Sequence, residues 1–241
     1  MWKNKKVSVI FPTYNEKDSI REAIDDFFAS SFVDEIVVVN NNAVEGTDEE
    51  VKKTKAKLVY EKRQGYGYAI WKGLEEATGD YLIISEPDGT FLGRDVIKLL
   101  AYSDDFDYVL GTRTTRELIW KGANMNFFLK WGNWAVAKIM EFLYNTTILT
   151  DVGCTMRLIK RNIYIKVKPY FTVGEQHFGP ELTLLVIKSG TKFVEIPVNY
   201  KPRVGKSSVT GNMGKAFSLG LKMIILIFKY RFKKFQFNSQ K

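Results

Sequence analysis

The chain has 241 residues, 45% of them hydrophobic, and a formal net charge of +9. That length allows one large domain or two small ones, and the basic excess points to an anionic partner such as nucleic acid, a phosphorylated ligand or anionic lipid. The single cysteine, Cys154, excludes an internal disulfide and fits a reducing compartment, and the single histidine, His177, argues against a histidine-based metal site or a histidine-driven triad.

Taken in order, a basic start, Met1 to Lys6, precedes an apolar run of only Val7 to Phe11, which Pro12 stops. This run is too short for the core of a signal peptide, and no stretch of the chain reaches the roughly 18 apolar residues of a spanning helix. Val7–Phe11 reads as a strand, followed by the polar loop Pro12–Glu16 and a helix to about Phe28. Ile36–Val39 is a second strand, closing on Asn40, Asn41 and Asn42. Thr47 and Glu50 have capping-box spacing, so a helix to about Lys55 is expected to open on Thr47. After a third strand, Lys57–Tyr60, the loop Gln64-Gly65-Tyr66-Gly67 enters a helix with Ala69, Ile70, Gly73, Leu74 and Ala77 at helical spacing and Gly79 at its end.

The apolar run Tyr81–Ile84 then stops at Glu86-Pro87-Asp88-Gly89. A buried strand that carries two carboxylates at i, i+2 to its carboxyl end puts them where open α/β sheets bind ligands. Such a pair suits Mg²⁺ or Mn²⁺; the plain alternative is a solvated Asp-Gly turn. A helix over Asp95–Tyr102 and a strand over Tyr108–Gly111 continue the alternation, which argues for a parallel-sheet α/β layer architecture.

The second half differs. Residues 118–149 are rich in Trp, Phe and Leu and poor in acids, as either a core helix or a surface meeting lipid would be. Asp151 to Arg157 is a turn feeding a short strand; Pro180–Lys188 is a helix opening with Glu181, Thr191–Val198 a strand, and Arg203 to Ser208 a basic loop. Lys215–Phe232 is a densely apolar helix with Lys215, Lys222 and Lys229 seven apart, followed by a basic tail. It reads as an amphipathic helix lying on a membrane, with a core helix edged by lysines as the alternative. The expected organisation is a catalytic-type domain over residues 1–210 and an anchoring helix and tail over 211–241.

Ser8 to Glu16, Val37 to Asn42 with Gly46-Thr47, Gly79-Asp80-Tyr81 and Glu86-Pro87-Asp88 together resemble family 2 glycosyltransferases. Asp151 to Arg157 and Arg203 to Ser208 resemble the dolichol-phosphate mannose synthase and polyprenyl-phosphate glycosyltransferase branch. The resemblance covers about residues 6–210. It implies the GT-A fold, a mixed, mainly parallel sheet flanked by helices. It further implies transfer of a hexose from a UDP- or GDP-sugar to a polyprenyl phosphate, with inversion, at the cytoplasmic face of a membrane.

By the same resemblance, Pro12, Tyr14, Glu16, Asn40, Arg63 and Gly65 hold the nucleotide, with Asn40 where the family has Asp. Glu86 and Asp88 hold a divalent cation, Mg²⁺ or Mn²⁺, with Asp88 the more direct ligand. Arg203 and Lys206 close on the diphosphate, and Arg113, Arg116, Lys121 and Arg157 orient the acceptor phosphate. The family's arginine after the tryptophan is absent, since Lys121 follows Trp120. A lipid phosphate is already a nucleophile at neutral pH, whereas a hydroxyl acceptor on a glycan or glycolipid needs a base, for which Glu181 is the candidate. A non-catalytic nucleotide-sugar-binding protein is the other alternative. Nucleic acid is not expected, because the basic excess is concentrated in the last helix and its tail.

Overall fold

The computed structural model describes residues 1–123, 127–205 and 213–237. The described strands are β1 (Val7–Thr13), β2 (Glu35–Asn40), β3 (Lys57–Tyr60), β4 (Tyr81–Ile84), β5 (Tyr108–Thr112), β6 (Arg157–Lys160) and β7 (Phe193–Pro197). They form one sheet in the order β3-β2-β1-β4-β6-β5-β7, with β6 antiparallel to both neighbours and every other pairing parallel. The helices are α1 (Ile20–Ala29), α2 (Thr47–Lys52), α3 (Tyr66–Glu76), α4 (Val96–Tyr102), α5 (Phe127–Tyr144), α6 (Arg161–Val167), α7 (Phe178–Lys188) and α8 (Met213–Phe232).

Strand alternation divides the core. Val7, Val9 and Phe11 pack with Ile24, Phe27, Leu99 and Leu158 on one face, while Ile10, Val37 and Ile84 pack with Leu74, Met140, Leu182 and Ile227 on the other. α8 belongs to this second core: Ile227 and Tyr230 are fully buried. Of the local expectations, two are corrected. Thr47 does not cap α2; its hydroxyl donates to Val44 O, and Gly46, at φ 89°, takes the cap position. Gly79 is not a helix cap either, because α3 ends at Glu76; a Cβ at Gly79 would lie 2.5 Å from Ser8 Oγ, so this glycine admits the start of β1. The short α6 went unforeseen, since its seven residues carry too little periodicity to stand out.

The topology gathers the site. From β1 the chain winds outward to β2 and β3, then returns to β4 on the other side of β1. The ends of β1 and β4 therefore flank a topological switch point, where open α/β sheets bind ligands. Because β6 runs backwards, the residues that precede it reach the same edge as those that follow β4, β5 and β7.

Candidate active site

At that edge Glu86 and Asp88 leave β4 beside Pro12, Tyr14 and Glu16, which leave β1. The turn is fixed from three sides. Thr90 donates to Asp88 Oδ1 from its backbone N–H at 2.9 Å and from its hydroxyl at 2.5 Å, and Ser19 Oγ donates to Pro87 O at 2.7 Å. The chain beyond β7 lies on it through Lys201 N–H to Thr90 O and Val204 N–H to Asp88 O. That last segment delivers Arg203. Its Nη2 stands 2.9 Å from Asp88 Oδ2, 3.4 Å from Glu16 Oε1 and 3.8 Å from Glu86 Oε2.

Three carboxylates thus face one guanidinium. Asp88 is 1% exposed, and its Oδ2 is buried without a hydrogen bond despite the nearby charge. Burial, with Asp88 beside it, raises the Glu86 carboxyl well above the ordinary range, and Arg203 opposes the shift. A buried carboxylate oxygen lacking a hydrogen bond, next to a second acid that resists ionisation, suits a hard divalent cation with room for phosphate oxygens. Asp88 and Glu86 would hold it. Arg203 now fills part of that space, so a cation there requires the guanidinium to move.

The turn borders a cavity of about 1230 Å³. One end is lined by Pro12, Tyr14, Glu16, Asn41, Gln64, Gly65 and Glu86. The other end is apolar, formed by Val136 and Ile139 of α5, Phe178 and Leu182 of α7, and Leu219, Met223 and Ile224 of α8. Gly65 is required here, because a Cβ would meet Gly174 O at 2.2 Å. Arg113 and Arg157 also line the cavity. Asp151 holds Arg113 by bonds of 2.8 and 2.9 Å, over the Tyr200 ring. Burial disfavours the Asp151 charge, but the Arg113 guanidinium, together with the backbone N–H groups of Arg113 and Gly153, outweighs it and the carboxyl is held below its ordinary value.

Other expected site residues stand elsewhere. Asn40 is occupied: its amide donates to Asp48 at 2.6 Å and its oxygen accepts from Ala43 N–H, and the neighbouring Asn41 lines the cavity instead. Arg63 turns outward to pair with Glu61 at 2.8 Å and to lie over the Tyr68 ring. Arg116 and Lys121 are exposed and do not line the cavity. Glu181 is fully buried and does not line it either; its carboxylate accepts hydrogen bonds from the N–H groups of Thr172 and Val173 and the hydroxyls of Thr172 and Tyr230. With every donor around it used structurally and no face open to the cavity, Glu181 is not placed to act as a base. Lys206 lies outside the described residues. Asn41, Gln64, Tyr66 and Thr155 line the cavity without having been singled out. The run of three asparagines after β2 signalled a polar edge, but only the turn conformation decides which of them faces inward.

A parallel Rossmann-type half, an antiparallel insertion and an acid pair at the switch point define the GT-A class of nucleotide-sugar transferases. The chain belongs to glycosyl transferase family 2, whose family model matches residues 8–168. It is 25% identical to glycosyltransferase AglJ of Haloferax volcanii, covering 82% of this chain and 63% of that one. A low-salt glycan biosynthesis hexosyltransferase of the same organism is 28% identical over 84% of this chain and 49% of its own length. This chain therefore spans about half to two thirds of those two relatives. A dolichyl-phosphate hexose transferase, also of H. volcanii, is 26% identical over 87% of this chain and 89% of its own. Among solved structures, glucosyl-3-phosphoglycerate synthase from Mycobacterium tuberculosis in complex with Mn²⁺, UDP and phosphoglyceric acid superposes with a TM-score of 0.72, at 13% identity, over 97% of this chain and 81% of that one. That likeness is one of fold.

Proposed function

We propose that this glycosyltransferase moves a hexose from a nucleotide-diphosphate sugar to a polyprenyl phosphate at a membrane surface. The observation that carries this reading is the shape of the cavity: one space joins the Glu86–Asp88 turn to an apolar wall contributed by α5, α7 and α8. A nucleotide sugar has no use for that wall, whereas an isoprenoid chain does. The dolichyl-phosphate hexose transferase relative, which aligns over most of both chains, supports the same acceptor class.

Membrane contact is supported by the outer face of α8. Ile225, Phe228 and Phe232 follow one another at steps of three and four, exposed from 46% for Phe228 to 83% for Phe232, and Phe217 and Leu221, also exposed, continue the row to where it borders the cavity. Exposed Lys215, Lys222 and Lys229 run beside this stripe, and Trp131, Trp134 and Phe142 of α5 are also exposed. An apolar face edged by lysines suits the headgroup boundary of an anionic leaflet. No described helix is long and apolar enough to cross a bilayer. We assign the cytoplasmic face, where nucleotide sugars are found.

Bound at Asp88 and Glu86, Mg²⁺ or Mn²⁺ would neutralise the diphosphate as a Lewis acid. The chain's own groups do the rest. Tyr14 and Gln64 border the nucleotide, Arg203 is released from the carboxylates to meet the diphosphate, and the cavity excludes water from C1. An acceptor phosphate oxygen forms the new bond to C1 while the bond from C1 to the diphosphate breaks, with inversion. No general base is required, which agrees with the sequestration of Glu181. The test is a reaction of purified full-length protein, divalent cation, a polyprenyl phosphate and a panel of UDP- and GDP-hexoses. A lipid-linked sugar is expected; transfer only to a glycan or glycolipid hydroxyl would sink the acceptor assignment.

A further inference from the structure

Arg113 lines the cavity from just beyond β5, where a carboxylate and a ring hold it. Asp151 accepts from its Nε and Nη2 at 2.8 and 2.9 Å and from its backbone N–H at 3.1 Å. The Tyr200 ring centroid lies 5.0 Å from the guanidinium carbon. A bidentate pair sets orientation as well as distance, so the place of the guanidinium follows the place of the carboxylate. Asp151 itself stands on the connection between α5 and β6, a segment that carries no helix or strand.

Glu195 fixes that segment. It lies on β7 as the register partner of Leu110 on β5. Its Oε2 accepts the Thr150 N–H at 2.7 Å and the Thr150 hydroxyl at 2.6 Å, and its Oε1 accepts the Asp151 N–H at 2.9 Å. With its own proton given to Glu195, the Thr150 hydroxyl can only accept on its other side, where Thr112 Oγ1 stands at 2.8 Å and Thr114 Oγ1 at 3.2 Å. Those two threonines flank Arg113 in the chain. One carboxylate thus ties the turn that carries Asp151 to the segment that carries Arg113. Burial raises the Glu195 carboxyl above its ordinary value, and its bonds to Thr150 and Asp151 oppose the shift. A desolvation cost is borne at a residue whose three bonds all end on the turn that places Asp151.

We propose that Glu195 is a positioning residue for Arg113: by holding the backbone of Thr150 and Asp151 it sets the carboxylate that aligns the guanidinium at the cavity. Glu195 meets no ligand, and its effect on phosphate binding passes through Arg113. The proposal rests on the polyprenyl-phosphate reading above, with Arg113 beside the acceptor phosphate.

The test is calorimetric binding of farnesyl phosphate, phenyl phosphate and Mn²⁺–UDP to the full-length wild type, Glu195→Gln, Arg113→Ala and the double variant, with thermal melting as the check on folding. Glutamine keeps the size of the side chain but sets an NH₂ against one of the three donors. Glu195→Gln should weaken both phosphates by about threefold to tenfold and leave Mn²⁺–UDP unchanged. Arg113→Ala should weaken them by about tenfold to a hundredfold, and in that background Glu195→Gln should add no further loss. A merely structural glutamate gives losses that add in the double variant, or an equal loss for Mn²⁺–UDP, and either result overturns the positioning role. Unchanged phosphate binding in either single variant overturns it as well. If Glu195→Gln does not fold, Thr150→Val carries the test, with a few-fold loss for both phosphates that vanishes in the Arg113→Ala background. The two readings separate. Phosphate binding that depends on Glu195 through Arg113, without transfer to farnesyl phosphate, keeps the positioning role and removes the lipid acceptor. Transfer with an unchanged farnesyl phosphate KM in Glu195→Gln keeps the acceptor and removes the positioning role. A wild type that binds neither phosphate overturns both.

Discussion

The two ends of the cavity are built on different principles. The polar end is made of strand termini: Pro12 to Glu16 at the end of β1, Glu86 to Asp88 after β4, and Arg203 after β7. Its parts are short segments fixed by backbone hydrogen bonds such as Val204 N–H to Asp88 O. The apolar end is made of helix faces from α5, α7 and α8, far apart in sequence and joined by side-chain packing. A strand end holds charged groups rigidly in place, as an electrostatic site demands. A wall of helix faces offers area and shape, which suit a chain-like ligand without fixing any single atom.

The largest effect is expected at the polar end. Asp88→Asn keeps the shape of the turn but removes the charge that faces the cation, and transfer should fall by on the order of 10³-fold, as losses of direct transition-state stabilisation do. Excess chelator should produce the same loss in the wild type, reversed by Mn²⁺ or Mg²⁺, while the melting temperature changes little. An Asp88→Asn enzyme with near-normal turnover would mean that the turn is not the cation site.

The next effect belongs to the apolar end. Replacing Ile225, Phe228 and Phe232 together by serine removes exposed side chains that do not line the cavity, so the fold should be unaffected. Each is worth roughly 1.5–3 kcal/mol if fully buried, and about 1 kcal/mol for partial insertion, so vesicle binding should weaken by about 10²-fold. Co-sedimentation with anionic vesicles measures it, and transfer to a soluble short-chain phosphate should persist. Equal binding by the triple variant would assign the stripe to some other partner.

The same contrast explains what the sequence made legible. The layered α/β sheet and the acid pair follow from local patterns: Tyr81–Ile84 is wholly buried, and the carboxylates fall where the strand stops, whereas the antiparallel β6 was implied only by the family's fold. Glu16 and Arg203 are 187 residues apart and meet at the turn. Asn40 does not line the cavity, its amide being held by Asp48 and its oxygen by Ala43 N–H. Arg63 pairs with Glu61 and lies over the Tyr68 ring, where the guanidinium gains an ion pair and a ring face. The apolar wall was hardly legible: a helical pattern in Lys215–Phe232 reveals that apolar faces exist, but not which of them meets α5 and which meets solvent. That helix is buried in the core at Tyr230 and 83% exposed at Phe232.

Glu181 gives a smaller, sharper test. Its carboxylate ties the 172–173 segment to Tyr230 of α8. Glu181→Gln keeps the size but replaces an acceptor-only group by one with two donors, so at least one of those bonds is lost and a donor is left facing donors. Stability should fall by about 1–3 kcal/mol, read as a lower melting temperature. Turnover per folded molecule should stay within a few-fold. Loss of turnover at an unchanged melting temperature would restore Glu181 as a base and, with it, the hydroxyl acceptor.

The smallest expected effect concerns Arg203, and it has opposite signs in two assays. In the donor-free protein the guanidinium sits among Glu16, Glu86 and Asp88, so it competes with any cation for the same carboxylates. Removing it by Arg203→Ala should tighten Mn²⁺ binding in the absence of nucleotide by several-fold, measured by calorimetry or by the free Mn²⁺ resonance signal. Once the nucleotide sugar is present the same side chain becomes a partner of the diphosphate, and its loss should raise the donor KM by several-fold. A variant that weakened cation binding without nucleotide would show that Arg203 supports the carboxylate cluster instead of competing for it. The polar end would then be assembled before the cation arrives, not opened by it.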